Sequence, residues 1–278
     1  MRTRHKYLSK IVLYLIVVIV ISTISFPFFW LIIESFKPGP ELLLFPPTVL
    51  PQNPTLENFI RVIEKTKFLL WFRNSLICAS LGTIVAVVLS SLCGYALARY
   101  RSRSFSTISS GILFTYMVPP IMLIIPMYLI MANLGLINNL VSIVIAYATF
   151  HTIFGTYLMK EFFESIPPEI EEAAIIDGAG TILRFFKIAL PLALPGIIAV
   201  GLFSFINSWN EYLFAATFID VEGLRTLPPA LFILKGNKIV MWDLLLSAST
   251  LAIVPQILVF IFIEKYFLKG FGAMALKG

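Results

Sequence analysis

Two amides and a carboxylate, Asn207, Asn210 and Glu211, interrupt an otherwise apolar run in the second half of the chain. On a helix this spacing places all three side chains on one face. Amides and carboxylates hydrogen-bond well to hydroxyl groups, and an aromatic face such as that of Trp209 or Tyr212 suits a sugar ring. These five residues are therefore predicted to line a substrate path. Alternatively, the same polar groups bond to a neighbouring helix and hold a bundle together.

His151 and Tyr116 are two further candidates for this path. His151 lies within a different apolar run, where an ionisable side chain is costly and commonly marks a substrate or ion route. Tyr116 precedes a double proline at Pro119 and Pro120, which predicts a bent or broken helix. The alternative for His151 is a hydrogen-bonded interior residue, and the alternative for Tyr116 is ordinary packing.

Several kinds of chemistry are excluded by what the sequence lacks. No GxxxxGK[ST] loop for cradling phosphates is present, so the chain is not expected to bind or hydrolyse ATP. His, Cys and acidic residues do not recur at metal-ligand spacing, and no metal site is predicted. With two histidines in the chain, one of them in the basic N-terminal tail, no Ser-His-Asp arrangement can be assembled. The sequence does not predict an enzyme.

The composition is that of an integral membrane protein. Of 278 residues, 59% are hydrophobic and 13% are charged, whereas soluble domains carry about 25% charged residues. The net charge of +6 is explained by the basic residues that membrane proteins concentrate in cytoplasmic loops. The basic clusters are not interleaved with aromatic residues, so we expect the lipid bilayer, and not nucleic acid, as a partner.

Six apolar runs are each close to the roughly 20 residues that a helix needs to cross a bilayer. The sequence therefore predicts an all-α protein with six transmembrane helices in a single transmembrane domain covering residues 1–278. The predicted spans are residues 11–33, 76–98, 108–131, 140–159, 192–214 and 244–263.

The distribution of Lys and Arg predicts the orientation of these spans. If both termini are cytoplasmic, the inside segments hold 13 basic residues in 66 positions and the outside segments hold 8 in 79. Basic residues favour the cytoplasmic side, so both termini are predicted to lie inside. This orientation also places the loop of residues 160–191, between the fourth and fifth spans, in the cytoplasm.

This loop is the longest polar interruption in the second half of the chain. Pro167 and Pro168 suit the first turn of a helix, and the acidic residues that follow, including Glu169, are favourable at the positive end of the helix dipole. Asp177 and Gly178 are predicted to end that helix. Thr181 is then expected to cap a second short helix, which ends at Leu190 and Pro191.

A spaced signature in this loop resembles the "EAA" signature of the permease subunits of ABC importers. The matching residues are Glu172, Ala173, Ala174, Gly178, Ile188, Leu190 and Pro191. The resemblance implies a coupling helix that docks into a cleft on an ATP-binding subunit. It further implies that Glu172 and Asp177 are polar contacts, that Ala173, Ala174 and Gly178 permit close packing and the turn, and that Ile188, Leu190 and Pro191 anchor the loop to the fifth span.

Other runs are similar to carbohydrate-importer permeases of the maltose type, and most resemble the shorter of their two permeases. They include Trp-Asn-Glu-Tyr-Leu-Phe at 209–214, Asn-Ser at 74–75 and Arg-Thr-Leu-Pro at 225–228. This resemblance implies a multi-pass protein of a prokaryotic inner membrane, paired with a second permease. It also implies two ATP-binding-cassette subunits carrying ATP and Mg²⁺, and an extracytoplasmic protein that delivers a sugar or oligosaccharide.

A secondary transporter driven by an ion gradient is the alternative to an ATP-driven importer. It would need ionisable groups at membrane depth, and Glu211 and His151 are the clear candidates. Such transporters usually contain an internal repeat of spans, which this sequence does not show.

Overall fold

The computed structural model describes residues 2–100, 103–236 and 240–275, and within these the chain is all-helical, with no strand. The all-α prediction is thereby confirmed. Met1 and Gly278 lie outside the described residues. The helices are α1 (Arg2–Ser35), α2 (Glu57–Lys65), α3 (Phe68–Arg99), α4 (Arg103–Tyr116), α5 (Ile124–Asn133), α6 (Leu140–Glu164), α7 (Pro168–Ile176), α8 (Thr181–Arg184), α9 (Leu190–Leu192), α10 (Leu194–Asn210), α11 (Leu213–Phe218), α12 (Leu227–Leu234) and α13 (Trp242–Ala275).

Four helices are long and apolar enough to cross a membrane by themselves: Lys10–Ser35, Phe68–Arg99, Leu140–Glu164 and Trp242–Glu264. Two further helix pairs qualify if each bent pair counts as one span, which gives up to six. Thr107–Tyr116 and Pro120–Asn133 meet at 96°, at the double proline that predicted a break. Thr181–Leu192 and Leu194–Asn210 meet at 75°, a bend that was not predicted.

The expectation that Glu211 shares a helix face with Asn207 and Asn210 is wrong. Helix α10 ends at Asn210, and Glu211 is extended, with φ −70° and ψ 127°. The separate helix α11 begins at Leu213. The carboxylate of Glu211 bonds to backbone N–H groups of α11, so its hydrogen bonds favour ending one helix and starting another.

The expected architecture of the second half of the 160–191 loop also needs correction. Gly180, and not Thr181, is the N-cap of α8, and Thr181 is the first helical residue. The segment does not end at Pro191. A π-helical turn, Phe185–Ala189, joins α8 to α9, and the chain bends only after Leu192. Pro191 lies in the first turn of α9, where proline's missing N–H group costs nothing.

The chain divides into two compact units. The first unit comprises Met1–Phe68 and Leu231–Ile253, and the second comprises Leu69–Ala230 and Val254–Gly278. In the second unit, glycines bring helices into close contact. A Cβ atom built on Gly155 of α6 would lie 2.9 Å from Ser90 Cβ and 2.9 Å from Val200 Cγ1. Residues of this size let helix backbones approach closely, which is the main route to tight packing between membrane helices.

Two buried clusters in the second unit lie beside the sites described below. One includes Tyr147 and Phe214. The other includes Tyr95, Phe163 and Phe185, with Tyr95 edge-on to Phe163 at 5.3 Å between ring centroids. Edge-to-face aromatic pairs of this kind add to the free energy gained from burial alone.

The start of α3 is tied to the segment between α11 and α12 by its polar side chains. Asn74 Nδ2 donates to the carbonyl oxygens of Gly223 and Arg225, each at 3.0 Å. Ser75 Oγ accepts a bond from the Leu227 N–H at 2.7 Å. Asn-Ser at 74–75 and Arg-Thr-Leu-Pro at 225–228, which are distant in sequence, therefore meet in space.

The first unit contains a buried polar cluster after α1. Lys37 is 1% exposed, and its Nζ bonds to Glu34 Oε1 at 2.6 Å and lies 5.4 Å from the centre of the Trp30 ring. Glu41 Oε1 accepts bonds from Thr48 Oγ1 at 2.8 Å and from the Gln52 N–H at 2.9 Å. These bonds fix an irregular segment that apolar packing alone would not hold.

Candidate functional site

A cavity of about 420 Å³ lies where α6 faces the junction between α10 and α11. Its size is within the range of small-molecule pockets. It is lined by Pro120, Tyr147, Phe150, His151, Asn207, Asn210, Glu211, Tyr212, Leu213 and Phe214. Aromatic and amide side chains therefore surround one open space.

His151 lies on the wall of this cavity and pairs with Ser208, a buried residue that does not line it. His151 Nδ1 lies 3.2 Å from Ser208 Oγ, with the donor set by the histidine tautomer. The side chains are 9% and 3% exposed, respectively. His151 is therefore a hydrogen-bonded residue that joins α6 to α10, which is one of its two alternatives. It also lies on the cavity surface, where the other alternative, a residue of the substrate path, would place it.

The two asparagines are exposed and face the cavity. Asn207 Nδ2 donates to the Phe203 carbonyl and Asn210 Nδ2 donates to the Ile206 carbonyl, both at 2.8 Å. Asn210 Oδ1 accepts a bond from Gln256 Nε2 at 3.0 Å. Each amide is therefore oriented by its own helix, and Asn210 is also held by α13.

Glu211 and Tyr212 form the break between α10 and α11. Glu211 Oε1 and Oε2 accept bonds from the N–H groups of Phe214 at 2.8 Å and Ala215 at 3.1 Å. Tyr212 is 37% exposed on the cavity wall. The carboxylate thus has a structural role in starting α11 as well as a position on the cavity.

Trp209 points away from this cavity. Its side chain is 2% exposed and packs edge-on against Phe72 and face-on against Phe205, with ring centroids 5.5 Å and 5.8 Å apart. It is absent from the residues that line the space. The aromatic surface on the cavity comes instead from Tyr212, Tyr147, Phe150 and Phe214.

A second cavity of about 300 Å³ shares Pro120, Phe150, His151 and Asn207 with the first. Tyr116 lines it, half exposed, with its ring 5.2 Å from that of Phe154. The predicted path residues other than Trp209 therefore line one or both of these adjoining spaces. Their roles in transport remain predictions.

A helix is present where the sequence predicts one in the 160–191 loop: it is α7, with Pro168 in its first turn. The side chains of Glu169, Glu172, Ala173 and Asp177 are exposed, and Ala174 is half buried. Gly178 has φ +84°, and the N–H of Ala179 bonds to the carbonyl of Ala174 at 2.8 Å. Glycine tolerates this left-handed conformation, which ends the helix as the sequence indicated.

The other signature residues lie in the segment that leads to α10. Ile188 and Leu190 are half buried and Pro191 is exposed. Leu190 packs against the cluster that contains Tyr95 and Phe163. The apolar contact made by Leu190 fits an anchoring role, whereas Pro191 contributes the first-turn geometry of α9.

Glu171 is a site residue that the sequence analysis missed. Its side chain is buried, and its Oε1 accepts a hydrogen bond from Arg99 Nε at 2.7 Å and forms an ion pair with Arg99 Nη2, also at 2.7 Å. Its Oε2 accepts a bond from the Tyr95 hydroxyl at 2.7 Å. Among three acidic residues so close in sequence, nothing in the spacing showed which one faces inward.

Comparisons with known proteins agree with this fold. Residues 86–272 match the family model described as "Binding-protein-dependent transport system inner membrane component". The chain is 33% identical to the inner membrane ABC transporter permease protein YcjP of Escherichia coli, with all of both chains covered. It is 30% identical to the trehalose/maltose transport system permease protein MalG of Thermococcus litoralis, with 99% of each covered.

A solved structure gives the same result. The fold matches a chain of a bacterial ABC transporter involved in the import of the acidic polysaccharide alginate, with a TM-score of 0.79 and 25% identity. The match covers 95% of this chain and 98% of the other. The protein thus belongs to the family of inner membrane components of binding-protein-dependent transport systems, as a multi-pass permease.

Proposed function

We propose that this chain is a permease subunit that forms half of the translocation path of an ATP-driven importer for a sugar or oligosaccharide. The family membership supports the transport role. The names of the relatives, which include a trehalose/maltose permease, support the substrate class. The cavity supplies amide and aromatic side chains that suit a hydroxyl-rich ligand. Neither the family match nor these names favour the ion-gradient alternative.

The complete transporter would contain a second, similar permease, two ATP-binding-cassette subunits and an extracytoplasmic binding protein. ATP and Mg²⁺ would be bound by the ATPase subunits, because this chain has no phosphate-binding loop. Both termini and α7 would lie in the cytoplasm, as the distribution of basic residues predicts.

The exposed surface of α7 is the structural observation that supports docking of an ATPase subunit. Beside exposed Glu172 and Asp177, its C-terminal end presents Ile175 and Ile176, which are 50% and 86% exposed. Isoleucines this exposed on a loop outside the spans are expected to be covered by another protein. The ATPase cleft would cover them, and the two carboxylates would make the polar contacts at its rim.

Transport would follow from movement of α7. Closure of the ATPase dimer on ATP would push α7 and rock the spans between inward-facing and outward-facing states. Such coupling requires contacts that differ in free energy between the two states. The substrate would pass along the cavity beside His151, Asn207, Asn210 and Tyr212.

The decisive experiment is co-purification of the chain with the ATPase and permease encoded next to it, comparing wild type with Ile176→Asp. Because Ile176 is 86% exposed, we expect the variant to fold and to lose at least about tenfold in bound ATPase, the loss expected when a buried interface anchor is replaced by a charge. The matched control is Val221→Asp, which places the same charge on a half-exposed residue of the α11–α12 segment.

Uptake by the reconstituted complex completes the test. With binding protein outside and ATP inside proteoliposomes, a radiolabelled disaccharide should accumulate only when ATP is present. Uptake without ATP that is abolished by an ionophore would overturn the proposal in favour of the ion-gradient alternative. Equal ATPase binding by wild type and Ile176→Asp would overturn the assignment of α7.

A further inference from the structure

The three acidic residues in α7 have different environments. Glu169 and Glu172 are exposed, whereas the Glu171 side chain is 4% exposed and that of Arg99 is 18% exposed. The Arg99 guanidinium contacts one carboxylate oxygen of Glu171, and the Tyr95 hydroxyl contacts the other. We call these three residues the Glu171 cluster.

The Glu171 cluster joins two elements that are 72 residues apart in sequence. Arg99 is the last residue of α3 and Tyr95 lies one helical turn before it, so both partners are at the same end of a membrane-spanning helix. Tyr95 is also packed against Phe163 and Phe185, at 5.3 Å and 5.0 Å between ring centroids. A displacement of α7 is therefore resisted directly by the end of α3.

Ion pairs with little exposure are stiff connections. Removing one partner leaves the other charge buried and uncompensated, which is strongly destabilising. The two helices consequently separate only at a large cost, and α7 and the end of α3 move together. Exposed Glu172 has no such tie and is free to contact a partner protein.

We propose that the Glu171 cluster positions α7 on α3, so that displacement of α7 by the ATPase subunit moves α3 and changes the access of the cavity. This inference rests on the proposed docking of α7 and adds an internal route from that surface to the spans. Glu172 and Glu171 then have separate tasks, since Glu172 contacts the ATPase and Glu171 transmits its movement.

The test is the number of substrate molecules transported per ATP hydrolysed by the reconstituted complex. For Glu171→Gln we expect ATPase binding as in wild type but a ratio lowered by about tenfold, a change typical of lost coupling between two sites. Tyr95→Phe keeps the ion pair and should lower the ratio by about twofold to threefold, in line with loss of one hydrogen bond. Glu164→Gln, at the exposed end of α6, should leave the ratio unchanged.

Each outcome decides the question. If Glu171→Gln binds ATPase and keeps the wild-type ratio, or if it simply loses bound ATPase, the cluster does not transmit movement. If Glu171→Gln does not accumulate in the membrane, Tyr95→Phe is judged by the same ratio, and an unchanged value overturns the proposal. Failure of wild type to bind any ATPase would instead reject the docking of α7, which separates the two proposals.

Discussion

The carboxylate of Glu211 accepts a hydrogen bond from the backbone N–H of Phe214 at 2.8 Å, so the residue that follows the last turn of α10 also bonds to the first turn of α11. Irregular backbone at membrane depth is tolerated where it lines a cavity or is buried in protein. The break at Glu211 lines the 420 Å³ cavity. The helix break and the cavity are thus parts of one feature.

Replacing Glu211 with Gln should mainly affect stability. The amide keeps one acceptor for α11 but loses the negative charge that is favourable at a helix N-terminus. We expect the free energy of unfolding to fall by about 1 kcal/mol, measured as a lower Tm in lipid nanodiscs, with ATP-driven uptake retained.

The matched control for this prediction is Asp220→Asn, which removes one carboxylate from an exposed residue and should leave Tm unchanged. Lost uptake in Glu211→Gln at unchanged Tm would contradict the capping role. It would point instead to a carboxylate that acts directly in the path.

Periodicity and composition predicted the helices well because membrane spans are long and their apolar runs are continuous. The prediction failed at Glu211 and at Ala193, where the chain leaves regular structure for reasons outside its local pattern. At Glu211 the cause is a side chain bonded to the next helix. At Ala193 the 75° bend lies between Pro191, near the end of the helical segment before it, and Pro195, in the first turn of α10. In sequence, a turn of this kind resembles an ordinary apolar stretch.

The candidate sites were also predicted only in part, because some of their features follow from the local sequence and others depend on tertiary contacts. The helix end at Gly178 could be predicted from the sequence, because a glycine after the last turn of a helix commonly takes the left-handed conformation found here. The burial of Trp209 and Glu171 could not be predicted, since it depends on which side of each helix faces α3. That information lies in tertiary contacts, such as Trp209 with Phe72 and Glu171 with Arg99.

The two glycines after α7 offer a matched pair for testing the coupling loop. A Cβ atom meets nothing within 4 Å at either Gly178 or Gly180, but Gly178 has φ +84° and Gly180 has φ −68°. Gly178→Ser should therefore be strained by about 1–2 kcal/mol, enough to displace the end of α7. Gly180→Ser places a favourable residue at the N-cap of α8.

We expect Gly178→Ser to lower ATPase binding in co-purification, whereas Gly180→Ser should behave like wild type. Equal binding by the two variants would show that the left-handed turn is not needed to present α7. A loss in Gly180→Ser alone would instead place the ATPase contact at α8.

Close packing between α6 and its neighbours should make Gly155 sensitive to a single methyl group. Gly155→Ala places a Cβ atom 2.9 Å from Ser90 and Val200, closer than side chains normally approach. We expect a loss of about 1–3 kcal/mol from overpacking, seen as a lower Tm. Gly111→Ala in α4, where a Cβ atom meets nothing within 4 Å, should not lower Tm. Similar Tm values for both variants would mean that α6 can shift to accommodate the methyl group.

The segment after α1 should lose stability in acid through Glu41. Bonds from the Gln52 N–H, and then from Thr48, favour the charged carboxylate and lower the pKa of Glu41 below its ordinary value of 4.5. The folded state therefore binds this proton less readily than the unfolded chain. The stabilisation is complete above the ordinary pKa and is lost as the pH falls through the lowered value.

Glu41→Gln imitates the protonated carboxyl, so wild type and variant should differ in Tm at pH 7. That difference should shrink as the pH falls below 4.5, because the wild-type carboxylate is then protonated too. Glu57→Gln, an exposed acid in the first turn of α2, is the control for a general effect of charge. If the Tm difference between Glu41→Gln and wild type stays constant from pH 7 to acid, the geometry of the Glu41 side chain, and not its charge, holds the segment.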